Sequence, residues 1–269
     1  MKKQGDVAGQ RFAGKAILIT GAAGHLGSAL AEGIVGDGGV AVLNGRTHET
    51  LASLAATLDP GGQHTRILCA DVADAAAMRE GVAAVCTELE AQGVAFHGLV
   101  NNAFAGSATD AFDTAAERYA HAARTNLGAA ATLIEICAPV LARSGGSVVN
   151  VASMYGHVSP DPALYPAGVA ANPPHYGATK AGLLQLTRYY AVSLAASRVR
   201  VNSVSPGPFP RPEVARDHPE FAERLAGRVP LKRLGQPAEL YGAVAFLLGA
   251  EASYVTGADI AVDGGWTAI

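Results

Sequence analysis

Seven short runs rich in β-branched and apolar residues recur along the chain, at Ala16–Thr20, Val40–Asn44, Arg66–Ala70, Gly98–Asn101, Ser147–Val151, Val199–Val204 and Asp259–Val262, with helix-length segments between them. Most of these runs are continuously apolar rather than alternating, which a strand requires only when both of its faces are covered. The pattern predicts an α/β chain of Rossmann type: a doubly wound, seven-stranded parallel sheet with helices on both faces, joined by right-handed crossovers. In such sheets ligands bind outside the carboxyl ends of the strands where strand order reverses, so functional residues are expected at strand ends. No Pro/Ser-rich linker or charge block divides the 269 residues, and a single domain over residues 1–269 is expected.

Composition narrows the partners. Aromatic residues are 6% of a chain that is 49% hydrophobic, so the core is built from Ala, Val, Leu and Ile. The formal net charge of -3 is spread along the sequence, without a basic run to neutralise phosphates, and nucleic acid is not expected as a partner. Cys69, Cys86 and Cys137 make an odd number without metal-ligand spacing, which fits a reducing compartment and no metal site. The first residues are too short and polar for a signal-peptide core, and there is no uninterrupted stretch of about 18 apolar residues, so a cytoplasmic protein that does not enter a membrane is expected.

The first strand runs into Thr20-Gly21-Ala22-Ala23-Gly24-His25-Leu26-Gly27, followed by helical sequence from Ser28. A turn of this kind needs residues without Cβ so that backbone can bend sharply and approach a pyrophosphate, whose charge is met by amides at the helix N-terminus. Gly21, Gly24, His25, Leu26 and Gly27 are therefore candidate cofactor contacts, with an ordinary tight turn as the alternative. At the second strand end, Leu43-Asn44-Gly45-Arg46 carries no carboxylate to bond the ribose diol of NAD(H), and Arg46 is placed to pair with a 2′-phosphate. NADP(H) is the preferred cofactor and NAD(H) the alternative. Asp71, before Val72 at the third strand end, is either an acceptor for an adenine amino group or the N-cap of the next helix. Asn102 and Ala103 end the fourth strand at the same sheet edge, with turn chemistry as the other reading.

Tyr176-Gly177-Ala178-Thr179-Lys180 opens a helix after Asn172-Pro173-Pro174, and its Tyr and Lys share a helix face. A Lys ammonium near a phenol favours the ionised phenolate and lowers its pKa from roughly 10, making Tyr176 a usable proton donor and acceptor. Such pairs are common on exposed helices, and context is what singles this one out. Ser153 offers a hydroxyl at the end of the preceding strand, and Asn126 lies in a long helix of about 116–142, where a buried amide needs a partner.

Together these residues make the chain resemble a classical short-chain dehydrogenase/reductase over essentially its whole length. The glycine turn, Asp71-Val72, Asn101-Asn102-Ala103, Asn126, Ser153, Tyr176-x-x-x-Lys180, Arg200–Gly207 and Val262-Asp263-Gly264-Gly265 occur in family order. The resemblance implies one Rossmann domain, a homo-oligomer (dimer or tetramer), a small-molecule carbonyl or alcohol substrate and hydride transfer with NADP(H). It also implies a tetrad in which Ser153 polarises the substrate oxygen, Tyr176 gives or takes the proton, Lys180 tunes Tyr176 and bonds the nicotinamide ribose, and Asn126 holds a water leading to solvent. Tyr176, Lys180, Pro206 and Gly207 are further expected cofactor contacts.

Four features depart from the family pattern. The glycine spacing Gly21, Gly24, Gly27 is that of extended sugar-nucleotide members, although a classical member without their longer C-terminal substrate domain is expected. Phe104 stands where a glycine commonly follows Asn-Asn-Ala, and no threonine follows Pro206-Gly207 within Pro208–Pro212. The connection from Ser153 to Tyr176 is long and contains a second serine, Ser159. Residues 154–175 are expected to form a substrate loop and 207–228 a lid, with Tyr155, His157, Tyr165, Asn172, Phe209, Arg211 and Phe221 lining a mixed polar and aromatic pocket. An epimerase or dehydratase is the enzymatic alternative, and a non-catalytic nucleotide-sensing protein is the third.

Overall fold

The computed structural model describes residues 10–104, 112–166 and 168–269. The polar amino-terminal stretch discussed above lies outside them. Seven parallel strands form one sheet: β1 (Lys15–Ile19), β2 (Val40–Gly45), β3 (Thr65–Cys69), β4 (Ala95–Asn101), β5 (Ser147–Val151), β6 (Arg200–Pro206) and β7 (Asp259–Val262). Their order is β3-β2-β1-β4-β5-β6-β7. The chain winds outward from β1 through β2 to β3, then crosses back to place β4 on the other side of β1. That reversal leaves a crevice at the carboxyl ends of β1 and β4.

The apolar runs explain the two layers. Successive strand residues face opposite sides, so Leu18 and Leu99 enter one core while Ile17, Ile19 and Val100 enter the other. The first core is covered by α3 (Ala75–Ala91), α5 (Ala129–Ser144) and α6 (Pro174–Ser193), through residues such as Met78, Leu133 and Tyr190. The second is covered by α1 (His25–Gly36), α2 (His48–Leu58) and α9 (Pro237–Leu248), through Leu30, Leu51 and Leu240. Truncating a fully buried leucine such as Leu99 to alanine costs about 2–5 kcal/mol in a core packed this way.

The long helix foreseen around Asn126 has three parts: α4 (Ala115–Ala123), a π-helical turn at Arg124–Gly128, and α5. Thr114 and Glu117 form a capping box at its start, and Gly145, at φ 60, ends it in the left-handed conformation. Residues Ala115–Ser144 are long and apolar enough, by length and composition alone, to cross a bilayer. Leu133, Ile134, Cys137 and Leu141 are instead buried in the protein core.

The two segments expected to form a substrate loop and a lid contain more regular structure than their Pro and polar residues suggested. The lid region is largely helical, as α7 (Pro212–Asp217) and α8 (Pro219–Arg228). Between Ser153 and α6, two 3-10 turns at Met154–Gly156 and Pro162–Leu164 pack against α8.

Candidate functional site

A cleft of about 680 Å³ opens at the carboxyl ends of β1 to β6. Gly21, Gly24, His25 and Leu26 line it from the first turn, Arg46 from the end of β2, and Asp71 and Val72 from the end of β3. Asn102, Ala103, Ser153, Tyr176, Lys180, Pro206 and Gly207 complete the sequence-derived set. Gly27 and Asn126 stand behind the wall rather than in it.

The glycine turn is a cradle fixed by close approach. A Cβ on Gly27 would collide with the carbonyl oxygen of Gly21, and Gly21 itself has φ +63. Asn102 holds this turn to β4: its Nδ2 donates to the carbonyls of Thr20 at 2.9 Å and Gly21 at 3.2 Å. The backbone amides of Asn102 and Ala103 both donate to Thr20 Oγ1 at 3.0 Å. The side-chain amide of Asn102 is thus spent on the turn. The α1 N-terminus follows at once, with Gly24 as an N-cap that offers no side chain. Bare backbone at a helix N-terminus, reachable because glycines keep Cβ atoms away, suits a phosphate group.

Asp71 is not the N-cap of α3. That position is Asp74, whose side chain accepts from the amides of Ala76 and Ala77. Asp71 accepts from the amide of Ala73 at 2.9 Å and faces the cleft.

At the other end, Pro174 occupies the first turn of α6, so Tyr176 projects from the helix start and Lys180 follows one turn later. Lys180 is fully buried and its Nζ donates to the carbonyl of Val151 at 2.6 Å. Burial pushes its pKa down from 10.5 to about 8. The Tyr176 phenol is raised above its usual value of 10, because burial outweighs a hydrogen bond to Ser153 that pulls the other way. The expectation that Lys180 would bring Tyr176 down is therefore corrected for the protein by itself: desolvation dominates, and Tyr176 is a neutral phenol at working pH. Ser153 is buried and also accepts from the amide of Tyr155 at 3.1 Å, whereas Ser159 is exposed and away from the cleft.

Asn126 sits on the π-helical turn, where its Nδ2 donates to Thr179 Oγ1 at 3.1 Å. Thr179 in turn donates to the carbonyl of Tyr176 at 3.0 Å. The fourth member of the set thereby braces the Tyr176–Lys180 turn of α6. A π turn is a frequent device at functional sites, because the extra residue re-aims a side chain.

The pocket expected from the insertion and lid is not formed as foreseen. Tyr155 and Phe221 are buried in a cluster with Met154, Leu225, Val229 and Trp266, and Tyr165 packs on Phe221 at 4.9 Å between ring centroids. The Tyr155 and Tyr165 hydroxyls lie 3.0 Å apart, and Asn172 hydrogen-bonds Tyr155. His157 is turned to the sheet edge, 2.9 Å from Asp259 and 3.1 Å from Ser205. Phe209 and Arg211 are the expected pocket residues that do line the cleft. Sequence reading overlooked His121, Arg124 and Thr125, which reach it from α4 and the π turn. No local signal marks them, since a π turn leaves no pattern in the spacing of apolar residues along a helix.

Phe104, 51% exposed, stands at the mouth of the reacting end. Its ring meets Tyr176 edge-on at 6.1 Å, and Lys180 Nζ lies 5.8 Å from its centroid. The Arg200–Ser203 run proves structural: Arg200 donates to the carbonyls of Leu247 and Gly249, and Asn202 ties β6 to Val255 and Ala258.

The parallel sheet, the glycine turn at its switch point and the Ser153–Tyr176–Lys180 group on one cleft are the arrangement of a nucleotide-binding α/β protein of the oxidoreductase kind. Comparison with known proteins gives the family. The family described as enoyl-(acyl carrier protein) reductase matches residues 21–267. The cis-4-hydroxycyclohexanecarboxylate dehydrogenase of Sinomonas cyclohexanicum is 34% identical over 97% of this chain and 100% of its own length. The 7alpha-hydroxysteroid dehydrogenase of Bacteroides fragilis is 31% identical over 96% of each chain. Among solved structures, a gluconate 5-dehydrogenase from Burkholderia cenocepacia, in complex with NADP and tartrate, superposes with a TM-score of 0.80 at 29% identity, covering 97% of this chain and 98% of that one. The chain belongs to the classical short-chain dehydrogenase/reductase family.

Proposed function

We propose that the protein is an NADP(H)-dependent oxidoreductase that interconverts a carbonyl and an alcohol, with Tyr176 as acid/base. The observation that carries this reading is the sharing of one cleft: Tyr176, bonded by Ser153 and backed by buried Lys180, opens onto the same space as the glycine cradle and Arg46. A bound nicotinamide dinucleotide supplies or accepts the hydride. The cradle of Gly21, Gly24 and Gly27 with the amides at the start of α1 would hold its diphosphate, and Arg46 its 2′-phosphate. Asp71 and Val72 line the adenine side, while Asn102, Ala103, Pro206 and Gly207 line the nicotinamide side.

In carbonyl reduction the Ser153 hydroxyl donates to the substrate oxygen and fixes its position. Tyr176, held neutral by burial, has a proton to give to that oxygen as charge develops on it. An ammonium has three donors, and Lys180 spends one on Val151, leaving others for the nicotinamide ribose and for the phenolate that Tyr176 becomes. Asn126, through Thr179, keeps this turn of α6 in register. Oxidation of the alcohol runs the same contacts in reverse.

For substrate class, Arg124, which lines the cleft, and the relatives named for a hydroxycyclohexanecarboxylate or for gluconate both support a polar, carboxylate-bearing carbonyl or hydroxy compound. The whole of residues 1–269 acts as one domain. Tyr189 and Val192, exposed on α6, support a homo-oligomer. A panel of carboxylated cyclohexanones, keto sugar acids and steroid ketones, assayed with NADPH and NADH in parallel, tests the reading. Reduction of at least one ketone with NADPH preferred is expected, together with a loss of about 10²–10⁴-fold in Tyr176→Phe. Full activity in Tyr176→Phe would overturn the assignment, and equal use of NADH would remove Arg46 from it.

A further inference from the structure

The chain carries an aromatic ring where its family commonly has a glycine. Phe104 follows Asn102 and Ala103, whose backbone amides are tied to Thr20 Oγ1 at 3.0 Å, so the residue that comes next starts from a fixed point at the edge of the cleft. Its ring joins none of the three apolar clusters and is 51% exposed. What it meets instead is the reacting pair. Tyr176 stands edge-on to it at 6.1 Å, and the Lys180 ammonium lies over the Phe104 ring, 5.8 Å from its centroid. Core packing does not account for a ring placed in this way.

Lys180 lacks what a buried cation ordinarily has. Its Nζ donates to the Val151 carbonyl at 2.6 Å and has no carboxylate partner among the described residues. The titratable groups around it are Tyr176 on α6, Tyr155 on the adjoining 3-10 turn, His121 on α4, Arg124 on the π turn and Asp71 in the same cleft. None of them shifts its protonation, and burial alone drives its pKa down from 10.5 to about 8. An aromatic face opposes that penalty. The ring quadrupole attracts a cation within about 6 Å of the centroid, and more strongly where water is excluded. The Tyr176 ring offers a second face at 5.7 Å, so the ammonium sits in the corner of two rings inclined at 69°.

We propose that Phe104 is a positioning residue: the face of its ring, in place of a counter-ion, keeps the Lys180 side chain charged and directed towards the reacting end of the cleft. The consequence rests on the proposed reaction, because an ammonium stabilises the phenolate that Tyr176 becomes and a neutral amine does not. A group that titrates near working pH is sensitive to a weak contact. Loss of about 1 kcal/mol of cation–π attraction moves such a pKa by somewhat less than one unit.

Denaturant unfolding of the full-length protein between pH 6.5 and 10.5 (roughly the range over which a buried amine titrates), without cofactor, tests the assignment apart from turnover. Four proteins are compared: wild type, Phe104→Leu, Lys180→Met and the double variant. Leucine keeps apolar bulk but has no π face. The Lys180-dependent stability, taken as the difference from Lys180→Met, is expected to begin rising at a pH about half a unit or more lower in Phe104→Leu than in wild type. Phe104→Trp, which restores a π face, is expected to return the onset to the wild-type pH or above it. The alkaline limb of ketone reduction should move with the onset. An onset that stays in place in Phe104→Leu overturns the proposal. So does an effect of Phe104→Leu that is equally large with Lys180→Met, since that is packing and not charge. Absence of any Lys180-dependent rise in wild type overturns it as well. A displaced onset in a protein that reduces no ketone upholds the contact between ring and ammonium while the proposed reaction falls.

Discussion

Lys180 Nζ donates to the carbonyl oxygen of Val151 at 2.6 Å from a position wholly enclosed by protein. The bond ties α6 to the end of β5 immediately before Ser153, and so sets the reacting groups on two elements in fixed relation.

Keeping that ammonium dry has a cost that depends on pH. With a folded pKa of about 8 against the ordinary 10.5, the unfolded chain holds more protons between these values, so stability rises with pH across that window. Below about 8 the cost is fully present and amounts to about 3 kcal/mol at 1.36 kcal/mol per unit. Lys180→Met is expected to be more stable than wild type at pH 7, by about 2–3 kcal/mol before the lost Val151 bond is counted. The difference should shrink towards pH 10.5, measured by denaturant unfolding at several pH values. Reductase activity of wild type should fall as pH rises through about 8, where the ammonium is lost, and Lys180→Arg should lack that limb.

Gly27→Ala puts a methyl group into the Gly21 carbonyl and within 3.0 Å of Asn102 Nδ2, the group that holds the turn. A loss of about 1–3 kcal/mol of stability and a larger loss of dinucleotide affinity are expected, from the melting temperature and titration with NADPH. Gly227→Ala is the contrasting case. It lies exposed in α8 with nothing near its Cβ direction, and should gain about 0.5–1 kcal/mol from helix propensity.

Arg46 lies exposed at the end of β2, where its charge is available to a ribose phosphate. Arg46→Ala is expected to lower the ratio of NADPH to NADH efficiency by about 10–100-fold, the equivalent of a charged hydrogen bond of about 1.5–3 kcal/mol. The binding of NADH should hardly change. A ratio that stays at the wild-type value would show that selection lies elsewhere in the cleft.

Asp259 accepts from Ser203 at 2.6 Å, from Ser205 at 2.8 Å and meets His157 at 2.9 Å. It pins the start of the Ser153–Tyr176 connection to the sheet edge. Asp259→Ala removes the carboxylate that accepts from the buried Ser203 and Ser205 hydroxyls and is expected to cost about 1–3 kcal/mol for each buried donor left unsatisfied. Proteolytic cleavage within residues 154–173 should become faster in this variant, while Asp259→Asn should retain part of the protection.

The strands were legible because a strand covered on both faces must be continuously apolar, and all seven runs appear as strands with ends displaced by a few residues. The chemistry-bearing residues were legible for a related reason: in a parallel sheet they gather at strand ends, so Gly21, Arg46, Asp71 and Ser153 could be named without knowing how the strands are ordered. The substrate side was not legible. Tyr155, Tyr165 and Phe221 have the composition of a pocket wall, yet they pack upon one another, because aromatic rings from the insertion and α8 bury more apolar area together than either does facing water.

The sequence by itself determined the sheet, the glycine cradle and the identity of the Ser153, Tyr176 and Lys180 group, since each depends on local pattern and residue type. Only the tertiary structure decided the protonation of that group, because desolvation is a property of everything packed around a side chain and not of its neighbours along the chain. Tyr176 is raised rather than lowered, Lys180 is pushed down to about 8, and Asn126 is joined to them through Thr179 by a π turn that brings two distant segments together.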